Sequence, residues 1–124
     1  PRFPQKGSLM VFQVPASKAS IKQNVFEFQL PGSKKTWSIP KAQYISAELM
    51  LSMQNEIIAL KAITDQKRNP TLDESARLTD IQMSILKKYC PGLTELVSFD
   101  QVMSILEGWQ QASNGVDGVG LGES

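Results

Sequence analysis

The sequence predicts an α+β fold: short N-terminal strands with a β-hairpin, then a bundle of about three amphipathic helices and a flexible, Gly-rich C-terminal tail. Three observations predict it. Apolar residues alternate with period two from Phe26 and return after a Pro-Gly turn. Beyond Pro40 the apolar spacing lengthens to that of a helix. Two later segments open on capping-box signatures.

Residues 1–24 read as an N-terminal arm with one short β-compatible run, Leu9-Met10-Val11-Phe12-Gln13-Val14, stopped by Pro15. Residues 25–113 read as a single domain that begins with a hairpin over 25–39. In Val25-Phe26-Glu27-Phe28-Gln29-Leu30 the residues Phe26, Phe28 and Leu30 share a face. Pro31-Gly32-Ser33-Lys34 turns the chain, because proline presets φ at the first central position and glycine tolerates positive φ at the second. Lys35-Thr36-Trp37-Ser38-Ile39 returns, and a four-residue loop sets Phe28 opposite Trp37 and Phe26 opposite Ile39. A hairpin with such a face needs a cover.

The first helix is expected over about 46–64, with Leu49, Met50, Met53, Ile57, Leu60 and Ile63 on one stripe and Leu51 and Ile58 widening it. The second runs over about 72–89, with Thr71 as N-cap and Glu74 reaching back to it. It carries Leu78, Ile81, Ile85, Leu86 and Tyr89, and Cys90-Pro91-Gly92 stops it. The third runs over about 99–112 from the capping box Ser98-Phe99-Asp100-Gln101, with Val97 and Val102 at the hydrophobic-staple positions. Residues 114–124 hold four glycines and read as a flexible C-terminal tail.

Composition narrows the function. Of 124 residues 41% are apolar, enough for one core and too few for two. Thirteen basic against twelve acidic residues leave a net charge of +1, which offers no strong field to nucleic acid or an anionic membrane. There is no histidine, which removes histidine-based triads and nearly all zinc sites. The lone Cys90 can form no intrachain disulfide. No apolar run is long enough to span a bilayer, and the first residues lack a signal-peptide h-region. The expectation is a soluble, unexported protein that is not an enzyme and needs no cofactor or metal.

Individual residues carry two readings each. Cys90 follows Lys87 and Lys88, which would lower its pKa; the plainer reading is a small residue semi-buried at a helix end. The methionines on helices, Met50 and Met53 among them, either fill the core or form a surface that repacks around partners. Trp37 and Trp109 are either core residues or interface anchors, with Trp109 the better anchor because it stands at the exit of the last helix. The candidate partner-binding residues are Phe26, Phe28, Trp37, Met50, Met53 and Trp109. Asp73, Glu74 and Asp100 are explained by helix N-termini.

Several segments together resemble a known family. Val25-Phe26-Glu27-Phe28 through Trp37-Ser38-Ile39-Pro40, the helix Phe99-Asp100-Gln101-Val102-Met103-Ser104-Ile105-Leu106-Glu107-Gly108-Trp109-Gln110-Gln111-Ala112-Ser113, and the ending Gly118-Val119-Gly120-Leu121-Gly122-Glu123-Ser124 resemble the tail assembly chaperones of long-tailed, actinophage-type bacteriophages. The resemblance covers residues 25–124; residues 1–24 have no counterpart in it. It implies a protein that binds the tape measure protein and keeps it soluble in the host cytoplasm until tail tube subunits polymerise, and that is absent from the mature virion. It also implies a frameshift-extended form, joined after Ser113, that recruits the tail tube protein. The expected partners are the tape measure protein, the tail tube protein and, if the chain self-associates, further copies of itself, with no nucleic acid and no membrane. Two alternatives stand beside it: a phage virion component such as a head–tail connector or decoration subunit, and a small regulator that binds a host enzyme or nucleic acid, the weak charge arguing against the nucleic-acid version.

Overall fold

The structure, a computed structural model, describes residues 11–115. Two antiparallel strands, β1 (Val25–Gln29) and β2 (Thr36–Pro40), are followed by three helices, α1 (Ala47–Asp65), α2 (Leu72–Tyr89) and α3 (Phe99–Ser113). Single 3-10 turns precede β1 at Lys22–Asn24, lead into α1 at Ala42–Tyr44, and join α2 to α3 at Leu93–Glu95.

The hairpin has the expected register, with Phe28 opposite Trp37 and Phe26 opposite Ile39. Its turn works as the Pro-Gly pair requires: Gly32 takes φ 75°, and the Ser33 N–H donates to Leu30 O at 3.1 Å. Phe26 and Phe28 stack with ring centroids 5.6 Å apart on the inner face. Lys35 lies over the Trp37 ring with Nζ 3.9 Å from its centroid, covering that indole from solvent.

The arm differs from expectation. Leu9 and Met10 lie outside the described residues. Val11-Phe12-Gln13-Val14 is not a strand, because no strand among the described residues pairs with it. A β-compatible run gains its ladder bonds only from a neighbour. Val11, Phe12 and Val14 stand about four-fifths exposed. The expected tail lies outside the described residues beyond Gly115.

Helices α1 and α2 pack together as a helical hairpin joined by residues 66–71. The end of α1 is closed by Lys67 in the left-handed region at φ 61°, with the Lys67 N–H on Thr64 O and the Arg68 N–H on Ile63 O. Arg68 then clamps Glu74 through both guanidinium nitrogens at 3.0 Å each. The α2 capping box is complete: the Glu74 N–H donates to Thr71 Oγ1 at 3.1 Å, and the Thr71 N–H donates to Glu74 Oε1 at 2.8 Å. At the start of α3 the Ser98 N–H donates to Gln101 Oε1 at 3.0 Å, while the Ser98 hydroxyl donates to the Asp100 carboxylate.

Helix α3 lies on β1, and α2 reaches β2. The core is Trp37, Ile39, Ile45, Met53, Ile85, Leu86, Cys90, Leu93, Val102, Ile105, Leu106 and Trp109. Phe26 comes so close to α3 that a Cβ at Gly108 would stand 2.9 Å from its Cζ. Glycine at that position is what lets the aromatic ring lie on the helix backbone.

Candidate functional site

An apolar groove of about 430 Å³ opens where α1, α2 and the end of α3 meet. Met50, Met53 and Ile57 supply one wall from α1, at the i, i+3, i+7 spacing that places them on one face. Leu78 faces them from α2, and Trp109 from α3. Ala42, Gln54, Gln110, Ser113 and Asn114 complete the lining, which contains no charged side chain.

Polar bonds that the sequence does not announce fix this shape. The Ala42 N–H donates to Ser113 Oγ at 2.8 Å, and Gln43 Nε2 donates to Ser113 O at 2.6 Å, tying the entry to α1 to the end of α3. The Ser46 N–H donates to the Tyr89 hydroxyl at 2.8 Å, tying the start of α1 to the end of α2. The groove therefore sits between helices whose ends are pinned to one another, and its mouth is preformed.

Of the six sequence-predicted residues, Met50, Met53 and Trp109 come together at this groove. Only Met50 offers substantial surface: Met53 is 4% exposed and Trp109 is wholly buried. The reading of Trp109 as a surface anchor is thus corrected. Its Nε1 donates to Pro40 O at 2.8 Å, so the indole is held in the core as the latch between α3 and β2. Phe26, Phe28 and Trp37 lie apart from the groove on the inner face of the hairpin. Trp37 is buried, and both phenylalanines are half-buried against the core. They close the fold instead of presenting an anchor.

Ile57 and Leu78 were legible as apolar helix positions and not as site residues. The signal for Ile57 was its place on the stripe with Met50 and Met53. Leu78 could be assigned only once α2 was folded back on α1. Gln54, Gln110 and Asn114 carried no signal, since neutral polar residues on helix surfaces are common.

Cys90 follows the plainer reading. It is 1% exposed, its Sγ donates to Ser38 O at 3.5 Å, and burial pushes the thiol pKa up, with Lys35 opposing. Lys87 and Lys88 do not set its acidity. A second, smaller hollow of about 180 Å³ lies under the hairpin turn, between Leu30 and Pro31 on one side and Gln101, Ser104 and Ile105 on the other. Among the described residues no group of three or more histidine, cysteine, aspartate or glutamate side chains is placed to hold a metal ion. No described helix is long and apolar enough to cross a membrane.

An uncharged, methionine-bearing groove between pinned helices offers a surface suited to burying apolar groups. Compared with known proteins, the chain matches no family model, no curated protein and no solved structure.

Proposed function

We propose that this chain is a tail assembly chaperone of a long-tailed bacteriophage, and that the groove between α1 and α2 receives apolar helical segments of the tape measure protein. The uncharged groove lined by Met50, Met53, Ile57 and Leu78 is the observation that carries the reading. A very long helical protein awaiting its tube exposes repeated apolar stripes, each of which loses about 25 cal/mol per Å² of apolar surface left in water. A site with flexible methionine and no charge accepts many such stripes with little selectivity, as a solubilising partner requires. The resemblance of residues 25–124 to tail assembly chaperones supplies the identity of the partner.

The test is co-expression with the tape measure protein of the same genome, read by size-exclusion chromatography with light scattering. The expected result is a soluble complex holding many copies of this chain, with the tape measure protein insoluble alone. Ile57→Lys should abolish the complex and leave the fold intact, because Ile57 is 41% exposed. No association with the wild-type chain would refute the reading.

The exposed arm favours a second reading. Val11, Phe12 and Val14 have no place on their own domain, as befits a virion subunit that grips its neighbours. Recovery of the chain from purified virions would select this reading over the chaperone.

A further inference from the structure

The two edges of the hairpin are unequal. The Lys41 N–H donates to Asn24 O at 2.9 Å, in register with the strand pairing. Antiparallel ladders alternate, so Phe26 with Ile39 and Phe28 with Trp37 exchange bonds inward. The peptide groups of Val25, Glu27 and Gln29 therefore point out from β1, and those of Thr36, Ser38 and Pro40 point out from β2.

The β2 edge is partly occupied. Pro40 has no N–H, its carbonyl accepts Trp109 Nε1, and Ser38 O accepts Cys90 Sγ. The β1 edge is open. The Val25 N–H turns back to Lys22 O. The Val25 carbonyl and both peptide groups of Glu27 and Gln29 have no hydrogen-bond partner among the described residues. Such a row is a template for an added strand.

The chain also carries a β-compatible run that lies on no sheet. Val11-Phe12-Gln13-Val14 is β-compatible and makes no ladder, and its apolar side chains stand in solvent. Its alternation fits the edge: Phe12 and Val14 would extend the apolar face of Phe26 and Phe28, while Gln13 would join Glu27 and Gln29 on the wet face. In the structure the arm does not lie on its own hairpin. Residues 18–24 are closed into a compact turn, with the Ile21 N–H and Asn24 Nδ2 both donating to Lys18 O, and this turn separates the arm from β1.

We propose that the open edge of β1 receives the arm of a second copy of this chain, residues 11–14 adding as a third strand, and that reciprocal exchange of arms gives a closed dimer. The argument rests on the presence of an unfilled edge and an unplaced β-compatible run in one sequence, and it does not depend on what the groove holds. Reciprocity closes the assembly at two copies, whereas one-way exchange would run on into fibres.

Two variants of the full chain test it. Phe12→Asp with Val14→Asp makes the arm unfit for an apolar face. Glu27→Pro removes an outward N–H of β1 and leaves the inward ladder intact. Light scattering should give twice the mass of one chain for the wild type and one chain for both variants, with unchanged thermal melting of the diluted protein. A monomeric wild type at every concentration overturns the proposal, as does a Glu27→Pro variant that stays dimeric, which would place the arm elsewhere.

A cysteine experiment separates exchange from self-docking. Chains carrying Gln13→Cys are mixed with chains carrying Gln29→Cys or Glu27→Cys and oxidised; Cys90 is buried and does not compete. A mixed disulfide dimer in either pairing is the expected product. If neither pairing gives one, and a single chain carrying Gln13→Cys with Gln29→Cys closes on itself instead, the arm belongs to its own hairpin and the exchange is refuted.

Discussion

Helices α1 and α3 use their apolar residues in opposite ways. The longer one, α1 with 19 residues, buries only Met53. The shorter, α3 with 15, buries Val102, Ile105, Leu106, Trp109, Ala112 and Ser113. Yet α1 is rich in apolar side chains, and it leaves Leu51 at 59% and Ile58 at 65% exposure. In α3 the exposed apolar residues, Phe99 and Met103, are confined to its beginning. The domain is thus built around α3 and the hairpin, with α1 attached through α2 and through its pinned start. An apolar surplus on a helix that the core does not consume is surface available to other chains.

If α3 is the keystone, its removal should cost most. Trp109→Ala takes out a fully buried indole and leaves Pro40 O without its donor. The expected loss is about 3–5 kcal/mol of unfolding free energy, measured by urea denaturation. A loss below about 1 kcal/mol would contradict the keystone role.

Gly108→Ala sharpens the same point. In an exposed helix interior this change stabilises by about 1 kcal/mol. Here the new Cβ meets Phe26 Cζ, and the half-buried ring must move. The expected result is a net destabilisation of about 1 kcal/mol. In a double-mutant cycle with Phe26→Leu the gain expected of alanine should reappear.

The hairpin register and two of the helix starts were legible in the sequence, and the bonds that join one helix to another were not. Phe26, Phe28, Trp37 and Ile39 gave the hairpin register because a one-residue slip would turn every one of them outward. Thr71 with Glu74, and Ser98 with Gln101, marked two helix starts because their bonds span only three residues. What escaped was set by distant partners. Nothing local tells that Tyr89 holds the Ser46 N–H, or that Ser113 holds the Ala42 N–H. The same gap hid the fate of Trp109, whose partner Pro40 stands 69 residues away. The arm failed as a strand for the converse reason: its pattern is sound, and its neighbour is absent from its own sheet. Met50 and Met53 were legible as groove residues, while Leu78 became one only through the fold of α2 onto α1.

The corner joining α1 to α2 offers a test of how α1 is held. Arg68 and the Thr71 backbone hold the Glu74 carboxyl down to about 2. A depressed carboxylate contributes stability that is present above its ordinary pKa, near 4.5, and is lost as pH falls towards the folded value. Acidification from pH 5 to pH 2 should therefore loosen this corner. An NMR titration should show the amides of Arg68, Thr71 and Glu74 shifting together with an apparent pKa near 2. In Glu74→Gln that shared transition of the three amides should vanish.

The smallest expected change is the one that isolates the surplus on α1. Leu51→Gln with Ile58→Gln replaces two exposed apolar side chains on a helix whose only buried residue, Met53, they do not displace. If the surplus takes no part in the fold, urea denaturation of the dilute protein should shift by no more than about 0.5 kcal/mol per substitution. Solubility and the binding of apolar partners should change far more. A loss of several kcal/mol would mean that these side chains are covered in solution, and a dependence of that loss on protein concentration would identify the cover as another copy of the chain.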